Sequence, residues 1–206
     1  MLFSIRSMTP DDVMAAVELQ KAAFPPPFSE DLHWDPAHLL RHIEVFPAGQ
    51  FVAEIDGGIV GSCSNAIISE EGWQSHSNWG ATLGGPFIHH HEPRGSTLYG
   101  LDITVHPAHR RIGIGRAFYK TRLCLGNDLG LARYGTGCRM PDYRSFSVNI
   151  APVTVTEYAA KVVAGESVDR TMTPLLRYGL RFLGVIENYM EDIESANAAA
   201  LLEFPL

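Results

Sequence analysis

The stretch YGLDITVHPAHRRIGIGRAFY, from Tyr99 to Tyr119, gathers the residues best suited to chemistry in this sequence. A strand-like apolar run ends at His106-Pro107, and Arg110-Arg111-Ile112-Gly113-Ile114-Gly115 follows at the start of a helical pattern. The first N–H groups of a helix have no internal acceptor and point at whatever lies ahead of the axis, so such a turn binds anions. Gly113 and Gly115 remove side chains where a diphosphate must approach the backbone, and Arg110, Arg111 and Arg116 add positive charge. Two other phosphate-binding readings fail on residues. A dinucleotide fingerprint needs glycine where Phe118 stands, and a Walker A loop needs a Gly-Lys-Ser/Thr that the chain lacks.

The R-x-x-G-x-G spacing after a V-x-P strand end resembles the acetyl-CoA pyrophosphate loop of the GNAT N-acetyltransferases. The resemblance runs through TLYGLDITVHPAHRRIGIGR, CRMPDY, DRTMTPLLRYGL and ENYMEDIESANAAALLEF, and so covers almost the whole chain. It is nearest to the acetyltransferase half of bacterial proteins in which that domain precedes a carbon-nitrogen hydrolase. The hydrolase part has no counterpart here, so no nitrilase-type chemistry is expected. The resemblance implies a GNAT fold, α+β, with a mixed, mostly antiparallel twisted sheet of about six to seven strands flanked by helices. It implies acetyl-CoA as acyl donor, held by Ile103, Thr104 and Val105 along the pantetheine arm and by Arg111, Ile112, Gly113, Ile114, Gly115 and Arg116 at the diphosphate. A main-chain N–H of Val105 or a neighbour would polarise the thioester carbonyl. The activity implied is direct transfer to a primary amine, on a small molecule. A non-catalytic CoA sensor and a protein acetyltransferase are the rival readings, and a homodimer through the terminal strands is a further implication.

Amine acylation needs a group to take the ammonium proton, because an alkylamine with a pKa of about 10 is protonated at neutral pH. By the same resemblance, the commonest glutamate base of the family falls on Tyr99, which is no obvious base. Asp102 lies close by on the same strand, on a face that a one-residue slip in register would reverse. The family's tyrosine acid falls on Leu175, before Gly179-Leu180, leaving Tyr143 and Tyr178 as substitutes. Tyr99, Asp102 and Tyr143 are thus the catalytic candidates. Arg139, Asp142 and Tyr143 follow the strand that borders the acceptor pocket in the family. No metal is expected: His89-His90-His91-Glu92 places neighbours on opposite sides of an extended chain, with no second ligand group at zinc spacing. Cys138 beside Arg139 lacks a histidine partner and reads as a buried thiol.

These residues require a scaffold, and the periodicities supply one. Leu2 to Met8 alternates as a strand; Thr9-Pro10-Asp11-Asp12 starts a helix to about Ala23, and Asp35-Pro36 starts another. FVAEI and IVGSCSNAII flank Asp56-Gly57-Gly58 as a hairpin. Glu70 to Gly95 shows no period and reads as a loop or insertion over a site. A strand from Leu98 to Val105 leads to a helix from about Arg111 to Asn127; LARYGTGC is a further strand. After an irregular stretch to Pro152 come helices at Thr154 to Ala164, with a Thr154/Glu157 capping box, and Arg170 to Tyr178, then strands at Phe182 to Tyr189 and Ala198 to Phe204.

The 206 residues, 46% hydrophobic, suit one domain over 1–206. No apolar run reaches the roughly 20 residues of a membrane span. Three cysteines without a CxxC pair fit a reducing compartment, so a cytoplasmic protein is expected. A charge of -7 without a basic cluster argues against nucleic acid as a partner.

Overall fold

The structure, a computed structural model, describes residues 2–206. Seven strands, β1 Ser4–Ser7, β2 Phe51–Ile55, β3 Gly58–Ile68, β4 Thr97–Val105, β5 Arg133–Arg139, β6 Arg181–Ile186 and β7 Ala199–Pro205, form one sheet in the order β1-β2-β3-β4-β5-β7-β6. Every neighbouring pair is antiparallel except β4 with β5. This is the mixed, mostly antiparallel α+β sheet expected from the sequence. The helices are α1 Val13–Ala23, α2 Pro36–Val45, α3 Glu70–Gln74, α4 Trp79–Leu83, α5 Ile114–Asp128, α6 Tyr143–Asn149, α7 Val155–Ala164 and α8 Met172–Arg177. None is long and apolar enough to cross a membrane among the described residues.

Local chemistry explains most boundaries. The Asp35 carboxylate accepts the Ala37 N–H at 2.7 Å and Pro36 opens α2. Thr154 and Glu157 close their box, the Thr154 N–H donating to Glu157 at 2.7 Å and the Glu157 N–H to the Thr154 hydroxyl at 3.2 Å. Asp56 and Gly57 both carry positive φ, +49° and +82°, which suits the tight turn between β2 and β3. Before α1 the chain makes one 3-10 turn, Pro10–Asp12, in which Asp12 takes the Thr9 N–H at 2.8 Å and two Arg6 hydrogen bonds at 2.7 and 2.8 Å.

Three differences from the sequence reading have physical causes. The aperiodic stretch from Glu70 to Gly95 holds α3 and α4, single turns too short to show a period, started by Ser69 and Asn78 as N-caps. The stretch after Asp142 holds α6. Helix α5 begins at Ile114 rather than Arg111, because Arg111 and Gly113 sit at φ +65° and +100°, outside the helical region.

The sheet packs α1 and α2 on one part and α5 on another. Val13, Ala16, Val17 and Leu39 meet Val52, whereas Ile114 and Phe118 meet Ala53, Val60 and Cys63. Helices α7 and α8 bury Tyr158, Val162, Met172 and Leu175 in a third cluster with β5 and β7. One topological detail positions the site. The parallel pairing of β4 and β5 ends at Tyr99 with Gly135, and beyond that point the two strands part.

Candidate active site

Where β4 leaves β5, an opening of about 410 Å³ forms, floored by Gly100 to Ile103 of β4 and Thr136 to Arg139 of β5. A bulge at Leu101 shapes it: Ser64 of β3 faces Asp102 while Asn65 faces Gly100. The His106 N–H donates to Val60 at 2.9 Å, and antiparallel pairing alternates, so Thr104 and Asp102 turn their main-chain groups to β3. Ile103 and Val105 therefore present theirs on the free edge, facing the opening. Of these two, Ile103 lines the cavity itself.

Asp102 sits at its floor. The Thr104 hydroxyl donates to Oδ2 at 2.9 Å, while Oδ1 is sealed from solvent and has no hydrogen-bond partner. Burial pushes this carboxyl above the ordinary 3.8, opposed by the Thr104 hydroxyl, the Arg122 guanidinium and the nearby Trp34 indole. The Trp34 N–H is itself buried and meets no acceptor at hydrogen-bond geometry.

Arg122 of α5 is 2% exposed. Its Nη2 donates to the main-chain oxygens of Ser64 at 3.0 Å and Asp102 at 2.5 Å, and its Nη1 to the Tyr134 hydroxyl at 2.9 Å. One guanidinium thus gathers a main-chain oxygen from each of the two strands beside the bulge. Its charge also lies over the Tyr119 and Tyr134 rings, each centroid 5.4 Å away. Sequence reasoning missed this residue, yet a signal was present: Ile114, Phe118 and Arg122 share one helical face, so a cation stands in an apolar stripe. Trp34, between α1 and α2, gave no such signal.

Beyond the opening, none of the main-chain N–H groups from Arg111 to Arg116 has an acceptor among the described residues, whereas the next, Ala117, donates to Gly113 at 2.9 Å. A Cβ on Gly113 or Gly115 would meet nothing within 4 Å, so the backbone here is open to an approaching group. The arginines divide. Arg110 braces the fold, donating to Val105 at 3.3 Å and to Ala23 at 2.9 Å, whereas Arg111 and Arg116 are exposed and without partners among the described residues. Loop and free strand edge together fit an extended ligand with a diphosphate at one end.

The other candidates lie apart. Tyr99 is buried with Trp73, Leu83 and Leu201, outside the cavity lining, and its hydroxyl is 2.8 Å from that of Tyr189; burial raises its pKa to about 12. Tyr189 does line the opening. Tyr143 borders a separate surface depression and donates to Val153 at 3.1 Å. Tyr178 packs 5.4 Å from Tyr119, ring to ring. Arg139 lines the opening but is held by both Asp192 oxygens at 2.7 Å. Asp142 binds Arg170. The histidine run is tied up locally, His90 with Ala81 at 2.9 Å and His91 with the Ile67 N–H at 3.1 Å. Burial raises the Cys138 thiol well above its ordinary value, which makes it a poor nucleophile.

Known proteins resemble this chain in sequence and in fold. Residues 13–145 match the model of the Acetyltransferase (GNAT) family. The uncharacterized N-acetyltransferase YkwB of Bacillus subtilis is 36% identical across 98% of this chain and 88% of its own length. The probable hydrolase YhcX of the same organism is 32% identical over 97% of this chain, which spans 38% of that longer protein. In fold, the chain resembles the GphF GNAT-like decarboxylase in complex with isobutyryl-CoA, with a TM-score of 0.83 at 24% identity over 98% of each chain. A helix-start loop of unpaired amides, a parted pair of parallel strands and sequence similarity along nearly the whole chain lead to one conclusion: the chain belongs to the GNAT acetyltransferase family.

Proposed function

We propose that this protein transfers an acetyl group from acetyl-CoA directly to a primary amine on a small molecule. The reading rests on one observation above others: the unpaired amides from Arg111 to Arg116 follow directly on a strand that has a free edge and carries a sealed carboxylate at Asp102. Acetyl-CoA would supply an acyl group activated as a thioester, with a thiolate of pKa about 8.5 as leaving group.

The residues then divide the work. Loop amides, with Arg111 and Arg116, hold the diphosphate. Ile103 and Val105 pair with the pantetheine arm, and Thr104 acts through its hydroxyl by fixing Asp102. The Ile103 N–H, directed into the opening, donates to the carbonyl oxygen as its charge grows. Asp102 takes the ammonium proton, for which a carboxylate of raised pKa is better suited than an ordinary one. The amine lone pair then forms the C–N bond as the C–S bond breaks. Tyr99 and Tyr143 have no part in this scheme, being outside the opening.

Thiol release from acetyl-CoA across an amine panel tests the reading. Turnover should fall about 100-fold in Asp102→Asn, and Gly113→Glu should abolish saturation by the donor. Binding of CoA with no thiol release from any amine would replace the transferase with a CoA-sensing domain.

A second reading comes from the same acid. In its protonated form Asp102 can give a proton to the enolate left when a carboxyacyl thioester loses carbon dioxide; the GphF protein, which this chain resembles in fold, is named a decarboxylase. Malonyl-CoA converted to acetyl-CoA without any amine present would establish it.

A further inference from the structure

Few polar atoms around the opening between β4 and β5 are free to meet an acceptor. Arg139 is spent on Asp192 and on Glu194 at 3.1 Å, and Arg122 on two carbonyls and a hydroxyl. The Gln20 side-chain oxygen takes the Trp34 main-chain N–H at 2.5 Å, the Thr136 hydroxyl donates to Gly100 at 3.0 Å, and His33 Nε2 lies 3.0 Å from the Phe24 carbonyl. Burial holds His38 below its ordinary 6.5, so its ring is neutral near pH 7 and brings no cation. Three buried side-chain atoms of the lining remain unpartnered: Asp102 Oδ1, Trp34 Nε1 and Arg122 Nε, with Trp34 only 8% exposed.

Aromatic rings make up much of the remaining wall. Phe24 and Phe28, on the connection between α1 and α2, lie 5.1 Å apart, and Trp34 and Trp79 lie 5.9 Å apart, all four lining the opening. Such walls bind flat apolar bodies and stabilise a cation over their faces. We infer that the acceptor is a monoamine on a flat apolar body, an arylalkylamine in chemical class, with its nitrogen at Asp102 and its body between the Phe24/Phe28 and Trp34/Trp79 pairs.

The inference rests on the acyl-transfer reading and narrows it. An α-amino acid would bring a carboxylate, and both guanidiniums in the wall already hold oxygen acceptors, leaving only the buried Arg122 Nε without one. A polyamine or aminoglycoside would bring several ammonium groups to one buried carboxylate, with only Asp31 at the exposed mouth to help. Each surplus charge would be desolvated without a partner.

The test is calorimetric titration of phenethylamine, spermidine and lysine into the protein saturated with CoA, alongside turnover of the same amines with acetyl-CoA. Phenethylamine should bind at least about tenfold more tightly than the other two. Asp102→Asn and Trp79→Leu should each weaken it about tenfold or more while leaving CoA binding unchanged. Equal or tighter binding of spermidine or lysine overturns the inference, as does phenethylamine binding that ignores both substitutions. Selective binding without turnover would sink the transferase reading and leave the pocket assignment standing. Turnover that prefers spermidine would do the reverse.

Discussion

Arg122, on α5, donates to the main-chain oxygen of Asp102, on β4, at 2.5 Å. The helix whose first turn offers free amides to a diphosphate thus also fixes, eight residues on from Ile114, the strand that carries the acid. The donor loop and the guanidinium that anchors the acceptor floor thus belong to one helix, about 12 Å apart along its axis.

Replacing Arg122 by Met should therefore cost both stability and rate. Two carbonyls, of Ser64 and Asp102, would lose a charged donor inside the sheet, and each buried acceptor left alone costs about 1–3 kcal/mol. Urea unfolding should show a loss of about 3 kcal/mol. A loss below about 1 kcal/mol would mean that water replaces the guanidinium.

Asp102 should leave two pH signatures. If it is the base, kcat/KM rises with pH through a value above the ordinary carboxylate range, and Asp102→Asn removes that limb. For stability the sign is the reverse of a salt-bridged acid. The folded chain holds this proton more tightly than the unfolded chain, so the favourable contribution is complete at low pH and is withdrawn as pH rises from 3.8 through the raised value. Urea denaturation near pH 4 and pH 7 should find Asp102→Asn gaining on the wild type at the higher pH.

Asp12 should behave oppositely. Its two hydrogen bonds from Arg6 and those from Thr9 lower its pKa from 3.8 to about 2. That stabilisation is complete above about pH 4 and is lost as pH falls toward 2. Since Arg6 is 40% exposed, solvent screening reduces the effect, and Asp12→Asn should cost about 1–2 kcal/mol at neutral pH. A cost that persists unchanged at pH 2 would show that packing, not charge, sets it.

Tyr99→Phe separates a catalytic from a structural tyrosine. It removes one hydrogen bond, to Tyr189, and should cost about 1 kcal/mol in thermal unfolding with kcat within about twofold of wild type. A drop of about 100-fold in kcat would return Tyr99 to the chemistry.

Legibility in the sequence followed the range of the forces involved. Elements defined by local rules were readable: the Asp35 and Thr154 caps, the Asp56-Gly57 turn and the strand and loop from Leu98 to Gly115. The parting of β4 from β5 was not, because it arises from which strands neighbour one another. Gly137, within LARYGTGC, answers to a contact that no local pattern records. A Cβ there would collide with the Tyr189 ring, which lies across β5 from 52 residues later in the chain. Arg122 and Trp34 take their roles from the bulge and the cavity, neither of which has a local signature. Asp102 could be named but not oriented, since its register depends on the bulge at Leu101.

Whether the loop amides grip the diphosphate is read from an amide proton–nitrogen correlation spectrum of labelled protein titrated with CoA. The largest shifts should fall at Ile112 to Arg116, joined by Ile103 and Val105, with Ala117 and Thr104 moving far less. Shifts clustered elsewhere, or a spectrum that CoA leaves unchanged, would contradict it.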